Sequence, residues 1–421
     1  VSTLFAVLAL TAHDRWRRDG WKPGGVVVAV LAWVGLLGAE TASGAFGYAV
    51  AYALTLDRGP WRARLVGLAP WGVAALAWMI PYRMLGYGVY GSGAYVDPLR
   101  QPLEFARVAL ERGPILLIAQ LTGFSADFLA ICPAPILLFW AALAALAAAC
   151  VVPLVRRSPE ARFFALGMVL SAAPACGTSP SDRLLTLVSL GGMGLVAMLI
   201  VSAAQFRKGT APGIAKVATA VVAASLFFMH GMLSPWALPG RARGLAVMQA
   251  AGVDQSVALL RGVNPGQKLV ILAAPDFYWS AVVFDVAQWK GARVPEFVRT
   301  LYGGTEAILV RRPSERVLVV SAPHGFVGRG MNRVFRGRSY PLHAGDTQDL
   351  TGLHVVVVRA DSSGEATQVE FRFDVTLEDP GLAWKRWDGP TPVPFTPPPV
   401  DESIIVPPFG PVIPAPQPGV G

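Results

Sequence analysis

Apolar residues dominate the first 240 positions of this chain as a series of runs, broken by short polar and basic turns. The runs cover residues 24–38, 42–56, 65–81, 114–131, 133–154, 163–176, 184–203 and 211–231. A helix needs about 20 apolar residues to cross a hydrocarbon core of about 30 Å, so several of these are short and one or two are expected to re-enter. An earlier run, Val1 to Thr11, stops at His13-Asp14-Arg15. Eleven helical residues rise about 16 Å, roughly half of that core, so the sequence reads as starting inside a membrane helix. A signal peptide would place its basic residues before the apolar stretch, and here they follow it.

Past Pro235 and Pro239 the pattern changes. Residues 241–261 carry apolar positions at helical spacing, including Ala246, Val247, Ala250, Val257 and Leu260. Strand-like runs follow at 268–273, 316–321, 354–359 and 369–375, the last alternating Val369, Phe371, Phe373 and Val375 with polar partners. From Gly389 onward prolines crowd the sequence, which favours extended polyproline conformations over a packed core. The expected architecture is an α-helical polytopic membrane bundle over 1–240, with about seven to nine helices. A small extracytoplasmic α/β or mostly β domain is expected over 241–388, then a disordered, exposed Pro-rich tail over 389–421.

Composition agrees with a membrane protein. Of 421 residues 53% are hydrophobic and only 15% charged, with mean hydropathy +0.48, against about 25% charged in soluble domains. Cys132, Cys150 and Cys176 are odd in number and sit in or beside apolar segments, which argues against a disulfide scaffold. The net charge of +9 is unevenly held: residues 1–240 have 18 Lys/Arg against 10 Asp/Glu, residues 241–421 have 18 against 17. No basic domain is left to follow phosphates, so a nucleic-acid partner is excluded.

The excess charge instead marks short turns: Arg15-Trp16-Arg17-Arg18 with Lys22, Arg58 to Arg64, Arg156-Arg157 with Arg162, and Arg207-Lys208. Placing all four in the cytoplasm follows the positive-inside bias. Glu40, segment 82–112, segment 178–183 and the chain after 231 then lie on the opposite side. Two full crossings between Arg112 and Arg156 would break this pattern. The run 114–131, with Gln120 and Asp127, is therefore expected to lie in the interface or to re-enter.

Candidate chemistry gathers on that opposite side. Ionisable groups at membrane depth are costly and are functional candidates by default, which singles out Glu40, Asp182 and Arg183. Their structural alternatives are a solvated turn for Glu40 and a helix cap at Ser181-Asp182. In segment 82–112, Tyr82, Tyr87, Tyr90 and Tyr95 alternate with glycines, and Asp97, Arg100, Glu104, Arg107, Glu111 and Arg112 follow. An aromatic belt leading into an amphipathic interfacial helix explains this pattern. So does a substrate-facing loop with Arg83, Tyr90, Tyr95, Asp97 and Arg100 as binding residues, and the two readings are compatible. The five histidines lack metal-ligand spacing, and neither a metal nor another cofactor is expected. In the C-terminal part, Ser321-Ala322-Pro323-His324-Gly325, the run Gly325 to Gly330, and Asp276-Phe277-Tyr278-Trp279 read as ordinary loops, and no 34-residue repeat is present.

Residues Pro180 to Gly191, Pro-Ser-Asp-Arg-Leu-Leu-Thr-Leu-Val-Ser-Leu-Gly, resemble the Asp/Glu-Arg-Tyr-Leu-Tyr-Leu-Pro-Ser-x-Gly segment of C-type polytopic membrane glycosyltransferases. This superfamily includes the protein O-mannosyltransferase-like enzymes. Gly35 to Glu40 is similar to the family's Leu-Ser-Lys-Glu turn, and Arg17 to Trp21 and Asp57 to Arg62 fit its layout. Here Leu185-Thr186-Leu187 carries none of its tyrosines, Val188 stands for its proline and Ala39 for its lysine. The family's acidic catalytic residue lies in its first outer loop, upstream of Val1. The resemblance spans roughly residues 1–230. It implies a polyprenyl-phosphate-linked sugar donor, dolichyl or undecaprenyl in type, and an inverting transfer on the extracytoplasmic face, while the Arg-over-Lys and Ala/Gly-rich composition fits a bacterial inner (plasma) membrane. It further implies that Arg183 meets phosphate or orients a carboxylate, while Asp182 or Glu40 positions the acceptor or Arg183. The main alternative is a non-catalytic polytopic protein, transporter-like or an envelope assembly partner, with an outer β-rich domain. A polysaccharide polymerase or ligase of the envelope is the third reading.

Overall fold

The structure, a computed structural model, describes all residues except 90, 207–212, 265, 276, 278–280, 290, 292–293, 329–331, 390 and 409–421. The chain divides into two compact units, Val1–Tyr90 with Tyr95–Pro239, and Gly91–Ala94 with Gly240–Gly421.

The first unit is helical. Its helices are α1 (Ser2–Asp19), α2 (Gly24–Gly38), α3 (Gly44–Thr55), α4 (Trp61–Gly67), α5 (Ala69–Met84) and α6 (Pro102–Thr122). They continue with α7 (Ala126–Leu129), α8 (Ala134–Arg157), α9 (Pro159–Ala175), α10 (Val188–Phe206) and α11 (Ile214–Phe227). A π-helical turn, Phe228–Leu233, leads from α11 into α12 (Ser234–Leu260). Tight 3-10 turns occupy Glu40–Ser43 and Asp182–Leu185.

Among the described residues four segments are long and apolar enough to cross a membrane: Trp61–Met84, Ala134–Arg157, Val188–Gln205 and Lys216–Gly244. Gly24–Gly38 is apolar but shorter. From sequence, eight apolar runs were candidate spans, one or two of them expected to re-enter. The difference is physical, because an apolar run can equally be a helix buried inside the bundle. In α3, Ala45, Tyr48, Ala49, Ala51, Tyr52 and Ala53 are all buried.

Small residues let these helices approach closely. A Cβ on Gly47 of α3 would stand 2.8 Å from backbone atoms of Leu170 and Ser171 in α9, and one on Gly194 of α10 would stand 2.6 Å from the Phe164 ring. Tyr48 ties α3 to α10: its hydroxyl donates to the Leu187 carbonyl at 2.8 Å and accepts from the Gly191 N–H at 2.7 Å. Such close backbone approach is how helices associate where the surroundings are as apolar as the side chains.

The basic turns gather at one end of the bundle. Arg17 donates to Asp57 at 2.8 Å, Arg64 donates to the Gly59 carbonyl, and Arg58 acts electrostatically on Glu160. The fourth basic turn, 207–208, lies outside the described residues. At the other end, α6 meets α9, α10 and the turn between them. Arg112 donates to the Cys176 carbonyl at 3.0 Å, Ser189 donates to Gln120 at 2.7 Å, and Asp182 accepts from the Ala126 N–H just past the helix. The helix starts at Pro102, well before the run expected at 114.

The second unit holds two sheets. The strands are β1 (Lys268–Ala274), β2 (Val298–Gly303), β3 (Ile308–Ser314), β4 (Val317–Ser321), β5 (Thr347–Leu350), β6 (Leu353–Ala360), β7 (Ala366–Phe373), β8 (Leu382–Asp388), β9 (Thr391–Pro394) and β10 (Ser403–Val406). One sheet has the order β2-β1-β8-β9, with β1 parallel to both neighbours. The other is antiparallel, in the order β10-β3-β4-β7-β6-β5. A short helix, α13 (Val283–Trp289), links β1 to β2, and a four-residue turn of helix, α14 (Asn332–Phe335), precedes β5. Strand β1 is buried from Leu269 onward, as a central parallel strand should be. In β7 the buried residues Val369, Phe371 and Phe373 alternate with more exposed ones, matching the period-2 pattern of the sequence.

The Pro-rich segment corrects the sequence reading. Its described part, up to residue 408, supplies β9 and β10 instead of trailing as a disordered tail from 389, and residues 409–421 lie outside the described residues. Both are edge strands, where a proline without an N–H can be tolerated because one side of the strand needs no ladder partner. Pro392 and Pro394 lie opposite Trp387 and Lys385. Between the two strands the chain is held by Arg312, which is 2% exposed. Its guanidinium donates to the carbonyls of Ser314, Glu315 and Pro398 and forms an ion pair with Glu378. Lys385, also buried, donates to the Arg261 carbonyl just past the end of α12.

Candidate functional site

At the end of the helical unit opposite the basic turns, five pieces of chain enclose a cavity of about 740 Å³. They are the Glu40–Ser43 turn, the last turns of α5, residues 88–89 with 95–99, the end of α9 and the Asp182–Leu185 turn. Each brings a different chemistry.

Helix α5 presents Trp78, Met79, Tyr82 and Arg83. Trp78 and Tyr82 are one turn apart on the same face, and their rings lie 4.5 Å apart, with Tyr87 next at 5.8 Å. This makes a short aromatic wall. The Tyr82 hydroxyl faces the Glu40 carboxylate. Glu40 begins its 3-10 turn after Ala39 breaks from α2 in an extended conformation, and this break lifts the acidic residue off the end of the helix. Among the described residues Glu40 makes no ion pair.

Arg83 donates to Asp97 at 2.6 Å, and Asp97 also accepts from the Leu99 N–H at 2.9 Å. Partial burial pushes the Asp97 carboxyl up, but the hydrogen bonds from Arg83 and Leu99 outweigh it and hold the group below the usual carboxylate range. The pair is therefore ionised and internally neutral at pH 7. Arg100 stands 3.9 Å from the same carboxylate on its outer side and does not line the cavity.

The Asp182–Leu185 turn divides its two charges. Asp182 Oδ1 accepts from the Ala126 N–H at 2.7 Å, and the Asp182 N–H donates to Asp127 at 2.9 Å. The carboxylate thus secures the start of α7 and does not line the cavity. Arg183 does line it, and its guanidinium has no hydrogen-bond or ion-pair partner among the described residues.

Of the residues singled out from sequence, Glu40, Arg183, Arg83, Tyr95 and Asp97 meet in this one cavity, while Asp182 and Arg100 stand outside it. Tyr90 lies outside the described residues. Sequence reasoning missed Trp78, Thr41, Ser43 and Thr178, which add an aromatic face and three hydroxyls. The spacing of Trp78 four residues before Tyr82 was a signal for the first. The hydroxyls carried none. Leu36, Val96, Leu184 and Leu187 complete an apolar floor.

The resulting inventory is one carboxylate opposite a phenol, one guanidinium without a partner, one self-neutralised ion pair and an aromatic wall. It can accept a proton at Glu40, hold an anion at Arg183 and stack a ring against Trp78 and Tyr82. No group of three His, Cys, Asp or Glu that could hold a metal occurs among the described residues. Comparison with protein families, with curated proteins and with solved structures gives no match.

Proposed function

We propose that the chain is an integral membrane glycosyltransferase-like enzyme of the C type, which moves a sugar from a polyprenyl-phosphate donor to an acceptor on the extracytoplasmic face. The observation that supports it best is the unpartnered Arg183 guanidinium in the same cavity as Glu40, at the end of the bundle away from the basic turns. In this reading the basic end faces the cytoplasm of a bacterial inner membrane.

The step balances as a single displacement. The acceptor hydroxyl attacks the anomeric carbon while its proton passes to the Glu40 carboxylate, which in this reading takes the part of the acidic residue that the family carries in its first outer loop. The bond from that carbon to the phosphate oxygen breaks, its electron pair stays on the lipid phosphate, and the configuration at the carbon inverts. Arg183 meets the charge that develops on the leaving phosphate. The Arg83–Asp97 pair braces the loop without adding net charge, and the aromatic wall takes the sugar ring. Asp182 is a positioning residue, because it fixes the turn that carries Arg183.

Transfer from a radiolabelled lipid-phosphate sugar by the purified chain in lipid nanodiscs tests this. Glu40→Gln and Arg183→Ala should each lower the rate by roughly 10²-fold or more, with thermal unfolding unchanged. Transfer that survives both substitutions would sink the assignment.

A further inference from the structure

Helix α6 presents three faces instead of two. Toward the bundle it buries Val108, Leu116 and Ala119, which are 3%, 0% and 2% exposed. A second stripe carries Glu104, Arg107 and Glu111, where Arg107 reaches Glu104 at 2.7 Å and Glu111 at 2.6 Å. The third stripe is apolar and points away from the bundle. Leu103 and Leu110, seven residues and about two turns apart, are 87% and 80% exposed, and Leu99 just before the helix is 65% exposed. Ala106 and Pro114 lie on the same stripe, between and beyond the two leucines.

A helix apolar on two opposite faces cannot lie against water on one of them at no penalty, so the outward stripe needs a cover. What covers it is indicated by continuity. Phe124, just past α6, stacks on Trp140 of α8 at 4.3 Å and 17°. Helix α8 is one of the four segments fit to span a membrane, and its Leu138 and Phe139 are 69% and 59% exposed. Met84, which closes the span ending at α5, and Leu85 just after it are likewise 81% and 71% exposed. The outward leucines of α6 thus belong to a helix that packs on a span whose own outer face belongs in lipid. The charged stripe neutralises itself through Arg107, as suits headgroup depth.

We propose that α6 is an in-plane membrane helix, with its Leu103–Leu110 stripe in the acyl layer of one leaflet and its Glu104–Arg107–Glu111 stripe among the headgroups. The occupant of that face is lipid, not a protein partner. The inference is independent of the transfer reading, since it rests on exposure and packing alone.

The test uses the full chain in nanodiscs of phosphatidylethanolamine and phosphatidylglycerol. Benzoylphenylalanine is placed singly at Leu103, Leu110, Arg107 and Glu111, and the adducts formed on irradiation are identified by mass. All four positions are exposed, so folding tolerates the probe. Leu103 and Leu110 should yield phospholipid adducts at least roughly fivefold more often than Arg107 and Glu111. Crosslinks from Leu103 or Leu110 to a second copy of the chain, or to its own residues 240–421, would overturn the proposal. So would equal lipid adducts at all four positions. The unfolding temperature of each variant, measured alongside, shows that the helix is in place when the crosslink is read.

Discussion

The two units bury different mixes of side chain. In the helical unit the buried positions are rich in alanine and glycine, such as Ala6, Ala9, Ala32, Ala45, Ala49, Ala144 and Ala147, while Val26, Leu76, Leu138 and Phe139 face outward. In the β-rich unit Leu269, Ile271, Leu272, Leu318 and Trp387 are fully buried. The contrast follows from the solvent. Water expels large apolar groups, so the second unit gathers them into a core. Lipid does not expel them, so the first unit is held by close backbone contact across small residues and by bonds such as those of the Tyr48 hydroxyl.

The comparison is sharpest where a substitution removes bulk. Ile271→Ala empties a fully buried site in a central parallel strand. It should destabilise the C-terminal unit by about 2–5 kcal/mol, read as the midpoint of its denaturant unfolding. Adding bulk tests the other unit. Gly167→Val would drive a side chain into the Tyr48 ring and should cost about 1–3 kcal/mol, read as lost folded yield in detergent and a lowered melting temperature. A smaller effect is expected from acid. The hydrogen bond from Arg312 holds the Glu378 carboxyl below its ordinary range. That ion pair therefore supports the C-terminal unit at neutral pH and loses its support as pH falls through the lowered value. Glu378→Gln should flatten that part of the melting-temperature profile against pH. The smallest effect should come from Leu138→Ala on α8. In bilayers it should shift stability by no more than about 0.5 kcal/mol, since the side chain leaves one apolar medium for another. A loss comparable to that at Ile271 would end the distinction between the two units.

The same contrast explains what could be read from sequence. In β7 the alternation of Val369, Phe371 and Phe373 with exposed neighbours was visible because one face meets water, and β1 was visible as a continuous apolar run. Strands β2, β3 and β8 were not identified. Arg299, Arg312, Lys385 and Arg386 interrupt their patterns, and the burial of Arg312 and Lys385 depends on partners far along the chain. In the helical unit the apolar runs were plain but their faces were not, because lipid-facing and buried positions are both apolar; α3 was therefore counted as a span. The candidate site was legible in its charges, Glu40, Arg83, Asp97 and Arg183, which are conspicuous against an apolar background. The duty of Asp182 was not, because it rests on Ala126, 56 residues away.

Strand β10 has a consequence for the order of events during synthesis. It is the last described strand of the chain, yet it lies beside β3, pairing Ser403 with Arg311 and Val406 with Ile308. Until residues 398–406 have emerged, β3 has an open edge and Arg312 lacks the Pro398 carbonyl. An open edge is a template for wrong pairing with other chains, and contacts this distant in sequence form slowly. The prolines of 392–399 narrow that window. They hold the arriving segment extended before it docks, and they deny a stray strand a full ladder of N–H donors.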